Sequence, residues 1–276
     1  MSATKETGAG ALRLPQCGSS SASASIQVGA SSLSLAPLSL TWLVGALVIA
    51  AACFVQGLAG FGIGLVSLAF LPLLMSPADA IVLITLYATV FTVVIFLPLR
   101  RDFTLHGMWE LLVGSIVATP AGVFILAIMP PAALTRLIGL VLLVIVGLEW
   151  LGLYPELRGR GWGLGAGLAA GLLGGAIGTP GPPVILYAAA QDWSPRTVKA
   201  NIQAFLIVNQ AVILIGYWWA GLLDREVWRL TWLYAVPAVA GLAAGMLLFN
   251  RLDRARFRRV VFAVLFVSGL VLLIRG

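Results

Sequence analysis

The sequence predicts an all-α, polytopic helical membrane protein made of two inverted repeats, each a broken or short-helix hairpin followed by three spanning helices. Three observations lead there. Hydrophobic residues make up 61% of the 276 residues and charged residues only 10%, too little charge to coat a water-soluble surface. Apolar runs of about 20 residues recur from residue 40 to the end, the length that crosses about 30 Å of hydrocarbon. These runs lack the polar-apolar alternation of barrel strands. Finally, two stretches echo each other: GLAGFGIGLVSLAFLPLLMSP from Gly57 to Pro77 and GLLGGAIGTPGPPVILYAAAQDWSP from Gly171 to Pro195. Each passes from an apolar run through clustered glycines and a short apolar piece to a Ser-Pro, then into a long apolar run. Gly- and Pro-interrupted spans at matching places in two halves mark a transporter's binding site.

The apolar segments read as 40–58, 64–75, 78–98, 108–128, 134–152, 162–178, 181–190, 196–220, 228–248 and 256–274. They fall into two sets of five, with a first repeat over 37–153 and a second over 154–276. Trp109 and Gly122 match Trp228 and Gly241 at one offset, and Leu140 and Gly147 match Phe262 and Gly269 at a slightly larger one. The second piece of each set is too short to cross: 64–75 reaches about 18 Å as helix and 181–190 about 15 Å. Each therefore pairs with its Gly-rich predecessor as a hairpin or broken helix. Non-helical backbone at that depth must face protein or a water-filled cavity. Ser76-Pro77 and Ser194-Pro195 read as helix starts, with serine capping free N–H groups and proline in the first turn. Residues 1–36 form a separate tail, whose GSSSASAS run (Gly18–Ser25) is low-complexity and expected to be disordered; it lacks the compact apolar core of a signal peptide.

Charge distinguishes an even from an odd number of crossings per hairpin. Arg251, Arg254, Arg256, Arg258 and Arg259 crowd one short loop, which belongs in the cytoplasm. If each hairpin returns to its starting side, loops 99–107, 153–161, 191–199 and 250–259 share that side and hold eleven Lys/Arg against six elsewhere. If each hairpin crosses once, the best split is nine to eight, with the five arginines on the poorer side. The returning hairpin leaves an odd number of crossings per repeat, so the repeats insert upside down relative to each other. The net charge of +7 is accounted for by these loops and is no sign of nucleic acid. Cys17 and Cys53 lie in a tail and an apolar run, and the single histidine, His106, lies in a loop; they suggest neither a disulfide, a metal nor another cofactor.

The paired segments GLAGFGIG (Gly57–Gly64) and GLLGGAIGTPGPP (Gly171–Pro183), with the second Ser-Pro and the following helix carrying Asn201 and Gln203, resemble the TauE/SafE sulfite exporter family. The resemblance covers residues 40–276. It implies a permease with two repeated halves that moves sulfite, sulfoacetate, related sulfonates or other small organic anions. The first half departs from the family pattern in having Phe61 and Ile63 between its glycines, and position 79 is acidic.

Glycine clusters let backbone approach a ligand, and a helix break exposes N–H groups and a positive helix end to an anion. The expected substrate site therefore joins Gly60, Gly62 and Gly64 to Gly174, Gly175, Gly178 and Gly181, with the Thr179 hydroxyl as an added donor. Pro180, Pro182 and Pro183 enforce the break. Asn201 and Gln203 are the side chains expected to touch substrate or water, with interhelical hydrogen bonding as the rival role; Gln56 is a further polar contact. Lys199, Gln203 and Gln210 share one helical face, and Lys199 either snorkels to the surface or draws anions to the cytoplasmic mouth. The equivalent stretch of the first half has only Thr85, Tyr87, Thr89 and Thr92, so the second half is expected to do more of the binding. Gly163, Gly167 and Gly171, spaced by four, suit close helix packing instead. Glu110 and Glu149 sit near span ends, Asp79 and Asp192 beside helix starts, and Trp42, Trp109, Trp150, Trp218, Trp219 and Trp228 near the interfaces.

These readings point to a secondary transporter for a small anion in the cytoplasmic membrane, embedded in lipid, whose two halves rock about the central breaks. Coupling to protons stays open, since no carboxylate pair announces it, and so does oligomeric state. An anion channel using the same helix ends is the alternative, although no ring of Arg or Lys suggests a pore. An enzyme would need a nucleophile with its base, or a metal cluster. A scaffold would not need matching breaks in both halves.

Overall fold

A computed structural model describes residues 40–105, 107–151, 161–248 and 254–275. The tail read as disordered, His106, the 152–160 connection with its two arginines and the 249–253 part of the arginine loop lie outside the described residues, as do the side chains of Glu149 and of residues 254–260. Among the described residues the structure is all helical: α1 (Leu40–Ala59), α2 (Ile63–Phe70), α3 (Pro77–Phe96), α4 (Trp109–Ile128), α5 (Pro131–Trp150), α6 (Trp162–Ile177), α7 (Gly181–Ala189), α8 (Pro195–Trp219), α9 (Arg225–Leu233), α10 (Ala235–Leu248) and α11 (Arg254–Arg275). Five helices are long and apolar enough to cross a membrane (α1, α3, α4, α5 and α8), and six spans result if α9 and α10 count as one.

Local chemistry explains most boundaries. Ser76 Oγ accepts from the N–H of Asp79 (3.1 Å) and Ser194 Oγ from that of Thr197 (3.2 Å), with Pro77 and Pro195 in the first turns, so both Ser-Pro pairs are helix caps. Pro72 and Pro98 each sit in a Leu-Pro-Leu turn of 3-10 helix that follows α2 and α3 respectively. The segment expected as one span over 228–248 is instead bent by 51° between α9 and α10. Pro237 explains the bend, because it offers no N–H to the Leu233 carbonyl and its ring crowds that oxygen. Asp224 caps the start of α9 by accepting from Val227 N–H (2.9 Å), and the Tyr87 hydroxyl donates to the Thr231 carbonyl close to the bend.

Glycines decide how the spans pack. On α6, Gly167, Gly171 and Gly175 lie against the backbone carbonyls of Leu111, Ser115 and Thr119 of α4, so close that a Cβ would collide with them. Residue numbers rise together along this seam, so α4 and α6 run in the same direction. The same holds for α1 and α10, where Gly241 meets the Ala50 carbonyl and Gly245 that of Phe54. In contrast, α5 and α11 run oppositely: Gly139 approaches Leu273, Gly269 approaches Leu142, and the Trp150 and Phe266 rings lie 5.1 Å apart. Helices α3 and α8 also oppose each other. The loop after α3 meets the start of α8 through Asn201–Thr104 hydrogen bonds and an Arg196–Asp102 pair at 3.9 Å, whereas Thr85, nearer the start of α3, reaches Tyr217 near the end of α8. α3 is the most enclosed span, 61% buried against 33% for α5, so α3 and α8 sit at the centre.

The glycine seams generate a stability prediction. Gly171→Leu should destabilise the detergent-solubilised protein by about 2 kcal/mol or more, since a packed interface cannot absorb a new side chain. Gly165→Leu, on the same helix but with nothing within 4 Å of the position of its Cβ, should leave the melting temperature almost unchanged. Thermal unfolding followed by tryptophan fluorescence checks both.

Candidate functional site

Both Gly-rich segments are helix breaks. In the first, α1 ends at Ala59, and Gly60 and Gly62 adopt left-handed backbone (φ 84° and 107°) that only glycine enters without cost. Gln56 then bridges the turn. Its Nε2 donates to the Gly60 carbonyl (3.4 Å) and its Oε1 accepts from the N–H of Ile63, the first residue of α2 (3.3 Å). Gln203 of α8 donates a second hydrogen bond to the Gly60 carbonyl. The following amides of α2, Gly64 and Leu65, belong to a first helical turn and have no acceptor within their own helix.

The second break closes differently. Gly178 takes left-handed backbone (φ 66°) at the end of α6, and its N–H returns to the Gly174 carbonyl (2.9 Å) while Thr179 N–H reaches that of Leu173 (3.5 Å), a glycine-type helix ending. α7 starts at Gly181 among Pro180, Pro182 and Pro183. Prolines have no N–H, so Gly181 keeps the only amide among the first three residues of α7. The first half therefore supplies more backbone donors, and the second supplies more side chains.

The two breaks meet. A Cβ on Gly64 would collide with the Thr179 methyl and lie 3.2 Å from the Gly178 carbonyl. Between them is a cavity of about 30 Å³, room for about two waters. Its lining comes from Gln56 and Phe61–Leu65, from Gly178–Pro182, from Ala88 of α3 and from Leu206 and Gln210 of α8. Ala88 lies near the middle of α3 and Leu206 near the middle of α8, so the cavity sits about halfway along two central spans. No lining residue is ionisable. Two lining side-chain oxygens, Thr179 Oγ1 and Gln210 Oε1, are buried without a hydrogen-bond partner, as is Gln203 Oε1 nearby. Each such orphan costs about 1–3 kcal/mol unless a ligand or water meets it.

Gln56, Gly62, Gly64, Gly178, Thr179 and Gly181 thus line one cavity. Gly60 lies at its edge, with its carbonyl held by Gln56 and Gln203. Gly174 faces Ile213 and Asn209 of α8, and Gly175 lies in the α4 seam with Gly167 and Gly171. Asn201 stands apart from the cavity, accepting from Thr104 N–H (3.0 Å) and donating to its hydroxyl (3.3 Å); its rival role as a packing hydrogen-bonder is the one this geometry displays. Lys199 runs over the first break, its Cε 3.3 Å from where a Cβ on Gly60 would stand. The sequence reading placed Gln210 on the face of Gln203 but did not select it, nor Phe61, Ala88 or Leu206. The one-face periodicity of Lys199, Gln203 and Gln210 was the signal that could have found Gln210.

Deeper in the protein, Asn209 donates to Ser115 and to Thr119 Oγ1 (3.3 Å) on α4, and the Tyr217 hydroxyl donates to the Gly175 carbonyl (2.9 Å). These bonds tie α8 to the α4–α6 pair behind the second break.

Residues 23–272 match the family described as Sulfite exporter TauE/SafE. Neither a curated protein nor a solved structure matches the chain. The family match takes in both breaks and every span, and with the apolar helices it makes this a multi-pass membrane protein of a transporter family. The chain belongs to the TauE/SafE sulfite exporter family.

Proposed function

We propose that the protein is a secondary transporter that carries a small anion, sulfite or a related sulfur-containing or organic anion, across the cytoplasmic membrane by alternating access. The observation that carries this reading is the shared cavity. Two helix breaks far apart in sequence converge on one small pocket, with the α2 amides on one side and Thr179 and Gln210 on the other. The Gly64 and Leu65 amides and the Thr179 hydroxyl are donors set in a low-dielectric interior, which suits an anion stripped of water. The pocket's small volume favours a carrier over an open pore.

Residues 37–153 and 154–276 then form inverted repeats. Support comes from helix directions: the equivalent pairs α3/α8 and α5/α11 oppose each other, while α1/α10 and α4/α6 run together. Exchanging the two halves maps this set of pairings onto itself. The connections after α3 and α7 and the start of α6 lie at one end, joined by Asn201–Thr104, Tyr187–Gly107 (2.8 Å) and Gly161–Glu110 (3.2 Å) bonds. Arg100, Arg101 and Arg196 belong to that end, which we assign to the cytoplasm. The glycine seams cross between the halves, so the bodies that rock are the interlocked pairs α1/α10 and α4/α6, each carrying one break, and not the two halves of the sequence.

Three outcomes test this. In proteoliposomes loaded with labelled sulfite, Gln210→Leu should raise KM roughly tenfold, the worth of one hydrogen bond to a charged ligand; unaltered transport would remove the proposed site. Asn201→Ala should instead cost about 1–2 kcal/mol of stability in thermal unfolding and leave substrate affinity unchanged. Single cysteines at Asp102 and Asp192 should react with an impermeant maleimide only from the cytoplasmic side, and those at Pro130 and Gly221 only from the opposite side. Labelling of the Asp102 and Gly221 positions from the same side would refute the inverted arrangement.

A further inference from the structure

Resting on the reading in which the pairs α1/α10 and α4/α6 rock about the cavity, we propose that Gln203 is the latch between those two bodies. Its hydrogen bond to the Gly60 carbonyl holds the first break against the second, and Gln56 keeps that carbonyl satisfied when the latch lets go. Gln203 is thus a positioning residue for the substrate site, not a contact to substrate. It is 1% exposed and does not belong to the cavity lining. Its Nε2 donates to the carbonyl of Gly60, the residue whose left-handed backbone turns the chain out of α1. Gln203 stands on α8, which Asn209 and Tyr217 bind to α4 and α6 behind the second break. Gly60 stands at the end of α1, which Gly241 and Gly245 lock to α10. The bond therefore runs from one body to the other, and any movement that separates the breaks must release it.

The carbonyl is equipped for that loss. A carbonyl oxygen has two lone pairs, and here one donor is local and the other remote. Gln56, one turn earlier on α1, donates to it (3.4 Å) while its Oε1 accepts from Ile63 N–H (3.3 Å), so this bridge travels with the break. Backbone freed inside hydrocarbon then keeps a protein partner whether or not Gln203 is in place. The second break has an equivalent contact of a different kind. Thr85 follows Pro77 by as many residues as Gln203 follows Pro195, and the interval from Gly60 to Gly178 equals that from Thr85 to Gln203. Thr85 meets Gly178 accordingly, its Oγ1 2.8 Å from where a Cβ on that glycine would stand. The Thr85 hydroxyl, however, donates to the Ile81 carbonyl of its own helix (2.7 Å). Of these two matching contacts between a break and the opposite central span, the one at Gly60 is hydrogen-bonded and the one at Gly178 is packing.

The test uses the full chain in liposomes, with Cys17→Ser and Cys53→Ala and one reporter, Ala88→Cys, at a buried residue of the cavity lining. The rate at which a small methanethiosulfonate reagent modifies the reporter measures how often the breaks part. Gln203→Met keeps the length of the side chain and removes the donor. It should speed modification about fivefold, the population shift equivalent to one neutral hydrogen bond. Gln56→Met should not speed it, because the parted state then loses the donor that remains to Gly60. Thr85→Val should leave the rate unchanged. No acceleration by Gln203→Met would overturn the proposal. So would equal acceleration by Gln203→Met and Gln56→Met, or by Gln203→Met and Thr85→Val, which a merely structural role predicts through general loosening. Flux of labelled sulfite is measured separately, without the thiol reagent. If none crosses while the modification rates behave as expected, the substrate reading of the cavity fails, and with it the role of Gln203 in positioning that site.

Discussion

A backbone that leaves the helix inside hydrocarbon has no water to satisfy it, so every N–H and C=O it frees must find a partner in the protein. That constraint shapes both breaks. At the first, one glutamine side chain spans the turn, and a second glutamine from the opposite half reaches the same Gly60 carbonyl. At the second, Gly178 folds the chain end back onto its own helix and prolines delete N–H groups that would otherwise need acceptors. Among the side-chain oxygens left unpartnered, those of Thr179 and Gln210 belong to residues that line one small cavity. The fold neutralises this irregular backbone and leaves the Thr179 and Gln210 oxygens unmatched.

The same residue type does two opposite jobs in this chain. In the seams, glycine removes a side chain so that two helix backbones can touch, as Gly171 does against Ser115 and Gly241 against Ala50. In the breaks, glycine permits left-handed backbone and ends a helix, as Gly62 and Gly178 do. Gly175 and Gly178 are three residues apart and fall on different sides of this division. The seams also carry a mechanical consequence. Because α6 grips α4 and α1 grips α10, each break is anchored to a helix from the other half, and α3 and α8 are left facing each other across the cavity with side chains rather than backbones in contact.

How much of the site was legible depended on the kind of signal. Gly-Pro clusters announce a break by local chemistry, so the lining by Gly62, Gly64, Gly178, Thr179 and Gly181 could be read directly. Asn201 and Gln210 could not be separated in the same way. Both are polar residues within one apolar helix, and both are buried. Asn201 lies in the second turn of α8, where the loop after α3 folds over it and Thr104 takes both ends of its amide. Gln210 lies more than two turns further on, where the breaks have drawn the neighbouring backbone aside. Only the packing of other elements distinguishes them.

The sequence by itself determined the spans, their caps and the two interruptions, because hydrophobic length, serine-proline starts and the missing N–H of proline act within a few residues. It also predicted that the interruptions answer each other, since their repetition is visible in the chain. The tertiary structure decided which glycines are seam and which line the cavity, which polar residue joins that lining, and that Pro237 bends the span over 228–248. A glycine has no side chain to declare its role and an amide can donate or accept on either side, so their functions belong to whatever surface is folded against them.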